Sequence, residues 1–242
     1  MNPQLLKKAL YWLCLVMAPA ILVTIEWFHP AGFTRVPGMF TYLSIANHDA
    51  GHNVSQYFGP NWWFTMHMIQ TPMVGLVAVG LVLLVFSVRK EDGFVAYLAA
   101  ILAQISAFLM IIYYTALDSI GGIGLAKTIQ ITNELEASGD LSAEQVSKVA
   151  LVLDKTWVDP WVGGVGSVIS QSASWLVFFT AVLAGIALLA SKRAAWPPLI
   201  VLAAFGWEIQ LSHASYHGPL GFGLLVVASL WIWVQSREKV LA

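Results

Sequence analysis

The chain has one cysteine, Cys14, and only 10% of its 242 residues are charged. A lone cysteine excludes an internal disulfide, a CxxC redox pair and a CxxCH haem attachment. Soluble domains carry about a quarter charged residues, so the scarcity of charge excludes a water-soluble globule. Twelve basic residues against thirteen acidic ones give a net charge of −1. No basic face is available for phosphate, so no nucleic-acid partner is expected. Phosphate-binding glycine motifs are missing, which leaves no means of nucleotide hydrolysis within the chain. No lysine lies in any long apolar run, so a retinal Schiff base has no partner, and no arginine ladder serves as a voltage sensor. What is abundant is apolar surface: 58% of the residues are hydrophobic, and the mean hydropathy is +0.74.

Apolar runs of membrane-spanning length occur at about 9–28, 62–88, 94–117, 166–190, 197–214 and 219–235. The fold class expected is all-α: one membrane domain over 1–242, a bundle of six transmembrane helices with a helical outer-face loop. Lys7 and Lys8, Arg89 and Lys90, Lys192 and Arg193, and Arg237 and Lys239 flank the runs on one side only. By the positive-inside rule that side is cytoplasmic, both termini lie there, and the location is a bacterial-type inner membrane. Trp27, Trp62 and Trp63 fall near outer ends, where indole rings anchor at the headgroups. Two longer loops, about 29–61 and 119–165, face the other side. In the first, Met39 to Ile45 suits a short interfacial helix. The second starts with Gly121-Gly122-Ile123-Gly124, a flexible exit from the third span. An amphipathic helix to Glu136 follows, then a turn at Ser138-Gly139-Asp140, then a second helix capped by Ser142 and ended by Asp159-Pro160.

All six histidines (29, 48, 52, 67, 213 and 217) fall on the outer side of this topology or within its leaflet. His67 and His213 sit within apolar runs, together with Glu26, Asp118 and Glu208. An ionisable group costs several kcal/mol there unless paired or hydrated, which makes each a candidate for function. Helical spacing places Glu26 with His29, His67 with Gln70, and Tyr114 with Asp118 on shared faces. Ser167, Ser170, Gln171 and Ser174 write a polar stripe at i, i+3, i+4, i+7. The expectation is an outward-facing polar cavity above an apolar plug.

His213 and His217 form HxxxH, as do His48 and His52. On a continuous helix this spacing puts two imidazoles on one face, suited to one metal ion. His67 then completes a three-histidine zinc or iron site. Asp118 and Glu208 serve as acid and base or as further ligands, and Glu26, His29, Gln70, Tyr114 and Gln171 orient them. The set resembles that of the zinc hydrolases of the alkaline ceramidase and adiponectin receptor superfamily, which combine a histidine on the second span, an aspartate and a late HxxxH. The chain departs from that family in span number, in Trp63 where the family has serine, and in the distance from His67 to Asp118. The resemblance implies a metal-activated water acting on a lipid or lipid-linked substrate. The paired HxxxH boxes also resemble those of di-iron membrane desaturases, which need more histidines. Alternatives of other classes are a b-type haem held by His67 and His213, a non-catalytic subunit with membrane protein partners, and a metal-free lipid-binding protein.

Overall fold

Helices account for all the regular structure in the computed structural model, which describes residues 3–29, 38–44 and 59–241, with side chains described as far as 236. The first helix, α1 (Pro3–Trp12), runs through a π-helical turn, Leu13–Met17, into α2 (Ala18–Trp27). The rest are α3 (Met39–Ser44), α4 (Gly59–Val85), α5 (Phe94–Leu117), α6 (Leu125–Ser138), α7 (Ala143–Trp157), α8 (Val168–Ala190), α9 (Trp196–Leu211) and α10 (His217–Leu241). Among the described residues, five helical stretches are long and apolar enough to cross a membrane: Gln4–Trp27, Gly59–Val85, Phe94–Ser138, Val168–Ala190 and His217–Ser236.

Two expectations change here. The run at 197–214 does not form one span-length helix. Its helix, α9, has 16 residues, about 24 Å at 1.5 Å per residue against a hydrocarbon core of about 30 Å. It ends where Ser212 turns extended, the Ser212 hydroxyl accepts from the Ala214 N–H at 3.0 Å and Ser215 takes φ +63°. Gly218-Pro219 falls within the first turn of α10, where proline's missing N–H costs nothing. The second change concerns 121–124, which is not a loose exit. Asp118–Gly124 is a π-helical segment that joins α5 to α6 without a break.

The chain groups into two compact units. Unit 1 comprises Met1–Trp27, Pro72–Ile112 and Ser172–Ala242. Within it α10 packs against α9 and α2, around Leu22, Leu202, Phe205 and Leu225, all fully buried. Gly206 lets α9 meet the α8 backbone, since a Cβ there would stand 2.9 Å from Phe178 Cα. Two of its loops are clasped by Arg193, which donates to Ser87 Oγ at 3.0 Å, to the Ser87 carbonyl at 2.9 Å and to Asp92 at 2.8 Å.

Unit 2 comprises Phe28–Thr71 and Tyr113–Gln171. Here α3 packs on α6 and α7, and the Phe40 N–H at the start of α3 donates to Asp154 of α7 at 2.9 Å. The α6–α7 hairpin follows its local signals. Gly139 takes φ +81° to close α6, and Ser142 caps α7 in a reciprocal box with Gln145. Asp159 Oδ1 then accepts from the Trp161 and Val162 N–H groups at 2.8 and 3.0 Å, which holds its carboxyl below the usual aspartate value and turns the chain toward α8.

Candidate functional site

Unit 2 buries an unusual number of polar groups. Aligned along one side of α4 are Trp63, His67 and Thr71, each four residues from the next. The Trp63 indole N–H donates to the Gly121 carbonyl at 3.0 Å. His67 Nδ1 donates to the Trp63 carbonyl at 2.7 Å, which leaves Nε2 as the lone-pair nitrogen of the neutral ring. The Trp63 ring lies 4.7 Å from that of His67, and the His29 ring stands 5.2 Å from Trp63 and 5.7 Å from His67. All three are buried, with exposures of 2 to 4%. Gly122 makes this possible, because a Cβ on it would lie 2.3 Å from His67 Cγ.

Thr71 links the backbone of α4 to the acid. Its hydroxyl oxygen lies 2.8 Å from the His67 carbonyl and 3.0 Å from Asp118 Oδ2. A hydroxyl has one proton to give, so Thr71 donates to the carbonyl or to the carboxyl oxygen, one at a time. Asp118 Oδ1 and both amide atoms of Gln70 are buried and make no hydrogen bond among the described residues. Buried groups in that condition are rare.

Beside this cluster, and within the same unit, a cleft of about 250 Å³ opens between α6 and α7. Ile120, Leu125, Thr128 and Leu153 line it, and Gly121 and Trp157 form part of its wall. Those last two also touch the cluster: Gly121 accepts from Trp63, and the Trp157 ring stands 6.3 Å from that of Trp63. The cleft lies just below the 300–1,000 Å³ range of drug-sized pockets and is mostly apolar, a shape for a chain more than for a bulky headgroup.

The other expected residues fall elsewhere. In unit 1, His217 opens α10 and its Nδ1 meets Glu208 Oε2 at 2.7 Å, with each side chain about one-fifth exposed. His213 lies in the turn before it, so the two histidines do not share the continuous helix that the HxxxH spacing supposes. Glu26 is fully buried at the end of α2 in unit 1, whereas His29 belongs to unit 2. Tyr114 is buried one turn before Asp118. Gln171 is exposed, and Ser167 of the stripe it was expected to join is taken up locally, donating to the Gly163 carbonyl and accepting from the Ser170 N–H. His48 and His52 lie outside the described residues. Among the described residues no three His, Cys, Asp or Glu side chains come close enough to hold one metal ion. Trp63 is buried rather than interfacial, and Thr71, Gly122 and Trp157 are additions. The i, i+4, i+8 spacing of Trp63, His67 and Thr71 was the available signal.

Fold and composition define a helical, multi-pass membrane protein. No protein-family model, curated protein or solved structure matches the chain.

Proposed function

We propose that this is a protein of the cytoplasmic membrane that binds an acyl-chain amphiphile in the unit 2 cleft, with the polar end directed to His67 and Asp118. In this reading α9 is a short sixth crossing, both termini are cytoplasmic and unit 2 belongs to the outer side. One observation carries the proposal: Gly121 and Trp157 are walls of an apolar cleft and also neighbours of Trp63, whose ring covers His67. Turnover of the bound lipid would draw on the His67 imidazole and the Asp118 carboxyl for proton transfer.

The test is photolabelling in nanodiscs with a phosphatidylglycerol that carries a diazirine at one acyl end. Adducts are expected on 120–128 and 153–163 above the level on the exposed aliphatic residues of α5, and the enrichment is lost in Thr128→Trp, which fills the cleft. Adducts spread evenly over exposed aliphatic side chains would refute the site.

A second reading keeps a metal ion at the same cluster. Two imidazoles with ring centres 5.7 Å apart favour it, one of them oriented through Nδ1 by a backbone carbonyl as ligating histidines are. Stoichiometric zinc or iron in the purified protein, lost in His67→Ala, supports this reading. A Soret band would identify haem instead, and neither signal removes both.

A further inference from the structure

The outward face of α7 and the segment after it have no role in the cleft's chemistry, yet they are built in a particular way. Leu151 and Val152 are 58% and 63% exposed, on the side of the helix opposite its buried Val146. Lys148 and Lys155 bracket them: each lysine is three residues from one aliphatic and four from the other, so the four side chains share one face. Lys148 pairs with Glu144 at 2.7 Å, both highly exposed, and such a pair leaves the ammonium reachable. Beyond the helix, Val158, Trp161 and Val165 are 70%, 68% and 61% exposed. Leu151, Val152 and Lys155 also line one shallow depression with Val162 of that segment, and large apolar side chains gathered and exposed in this way mark an interaction site.

We infer that this face lies in the headgroup layer of the bilayer and takes anionic phospholipid, with Leu151, Val152 and Trp161 among the acyl ends and Lys148 and Lys155 against phosphate. Two observations select lipid over a protein partner. The chain enters α8, a helix of membrane-spanning length and hydropathy, three residues after Val165, which fixes the end of the patch at a bilayer surface. Aliphatic side chains bracketed by lysines are also the pattern of helices that lie in the interface of anionic membranes. The attachment does not depend on occupancy of the cleft.

The test uses the full chain in nanodiscs, with Cys14→Ser and one added cysteine carrying a nitrobenzoxadiazole dye, at Val152 or at the exposed hairpin residue Ala137 as the aqueous reference. Far-UV circular dichroism checks that each variant folds. With phosphatidylglycerol present, the dye at 152 should be blue-shifted, quenched by lipid-borne nitroxide and shielded from iodide, and the dye at 137 should be open to iodide. Lys148→Gln and Lys155→Gln should each lower the ratio of shielded to open dye about fivefold, the effect of one basic residue at an anionic surface, and 0.5 M salt should do the same. Iodide access at 152 equal to that at 137 would overturn the inference. Shielding from iodide without nitroxide quenching would also overturn it, because a protein partner would then cover the face.

Discussion

Replacing Gly122 by alanine adds one carbon where the structure has no room for it. That carbon would stand 2.3, 2.4 and 2.7 Å from His67 Cγ, Cδ2 and Cβ, about 1 Å inside ordinary contact. The imidazole cannot step back cheaply. Its Nδ1 is bound to the Trp63 carbonyl at 2.7 Å, and the Trp63 and His29 rings stand at 4.7 and 5.7 Å. Overpacking costs about 1–3 kcal/mol, and a ring that surrenders its buried hydrogen bond adds about 1–3 more. Against this, alanine for glycine in a helix gains about 0.5–1 kcal/mol. The net expectation is a loss of roughly 1–5.5 kcal/mol. Gly75, in the interior of α4 with nothing within 4 Å of where its Cβ would stand, supplies the control: Gly75→Ala should be neutral or stabilising by about 0.5–1 kcal/mol. Equilibrium unfolding in mixed micelles, followed by tryptophan fluorescence, measures both. The decisive arm is the double variant, because in a His67→Gly background every atom that the new carbon meets is gone and Gly122→Ala should behave like Gly75→Ala. An unchanged cost in that background would refute the packing of His67 on Gly122.

Further expectations concern single interactions. Ser142→Ala removes the α7 cap and should cost about 0.5–2 kcal/mol, seen as a lower denaturant midpoint. Trp63→Phe deletes the donor to the buried Gly121 carbonyl, with an expected cost of about 1–3 kcal/mol and a red shift of unit 2 fluorescence. Asp92 is held below its ordinary value of 3.8 first by the Arg89 N–H and then by the Arg193 side chain. A depressed carboxylate contributes stability that is complete above its unfolded value and is lost as pH falls through the folded one. The melting temperature of wild type should therefore drop below about pH 4 more steeply than that of Asp92→Asn, whereas parallel curves would contradict the clasp.

Much of the architecture was legible because local signals and tertiary packing agree. Ser142 caps α7 through its own hydroxyl, Gly139 takes the left-handed conformation that closes α6, and Met39–Ser44 is helical as its apolar spacing requires. Where they disagree, packing prevails. Glycine lowers helix propensity by about 1 kcal/mol per residue, so Gly121-Gly122-Ile123-Gly124 reads as a loop. The segment is helical in the fold because its bare backbone receives the Trp63 N–H and the face of His67, neither of which is encoded nearby. At Ser212 the disagreement runs the other way: an apolar run continues into His213, but a hydroxyl bond to Ala214 and the turn at Ser215 end the helix. Of the three acids in apolar runs, Asp118 falls in the cluster and Glu26 and Glu208 lie in unit 1. Asp118 is buried against Thr71, whereas the spacing of His213 and His217 supposed a continuous helix, and the helix ends at Ser212.

The central claim, a lipid chain held between α6 and α7 with its polar end at His67, is tested most directly by a density map of the protein in lipid nanodiscs. The expected result is elongated density along Leu125, Thr128, Leu153 and Trp157 that reaches the Gly121 wall and disappears in Thr128→Trp. A cleft that holds only water in the wild-type map, with lipid density confined to the outside of the helices, would contradict it.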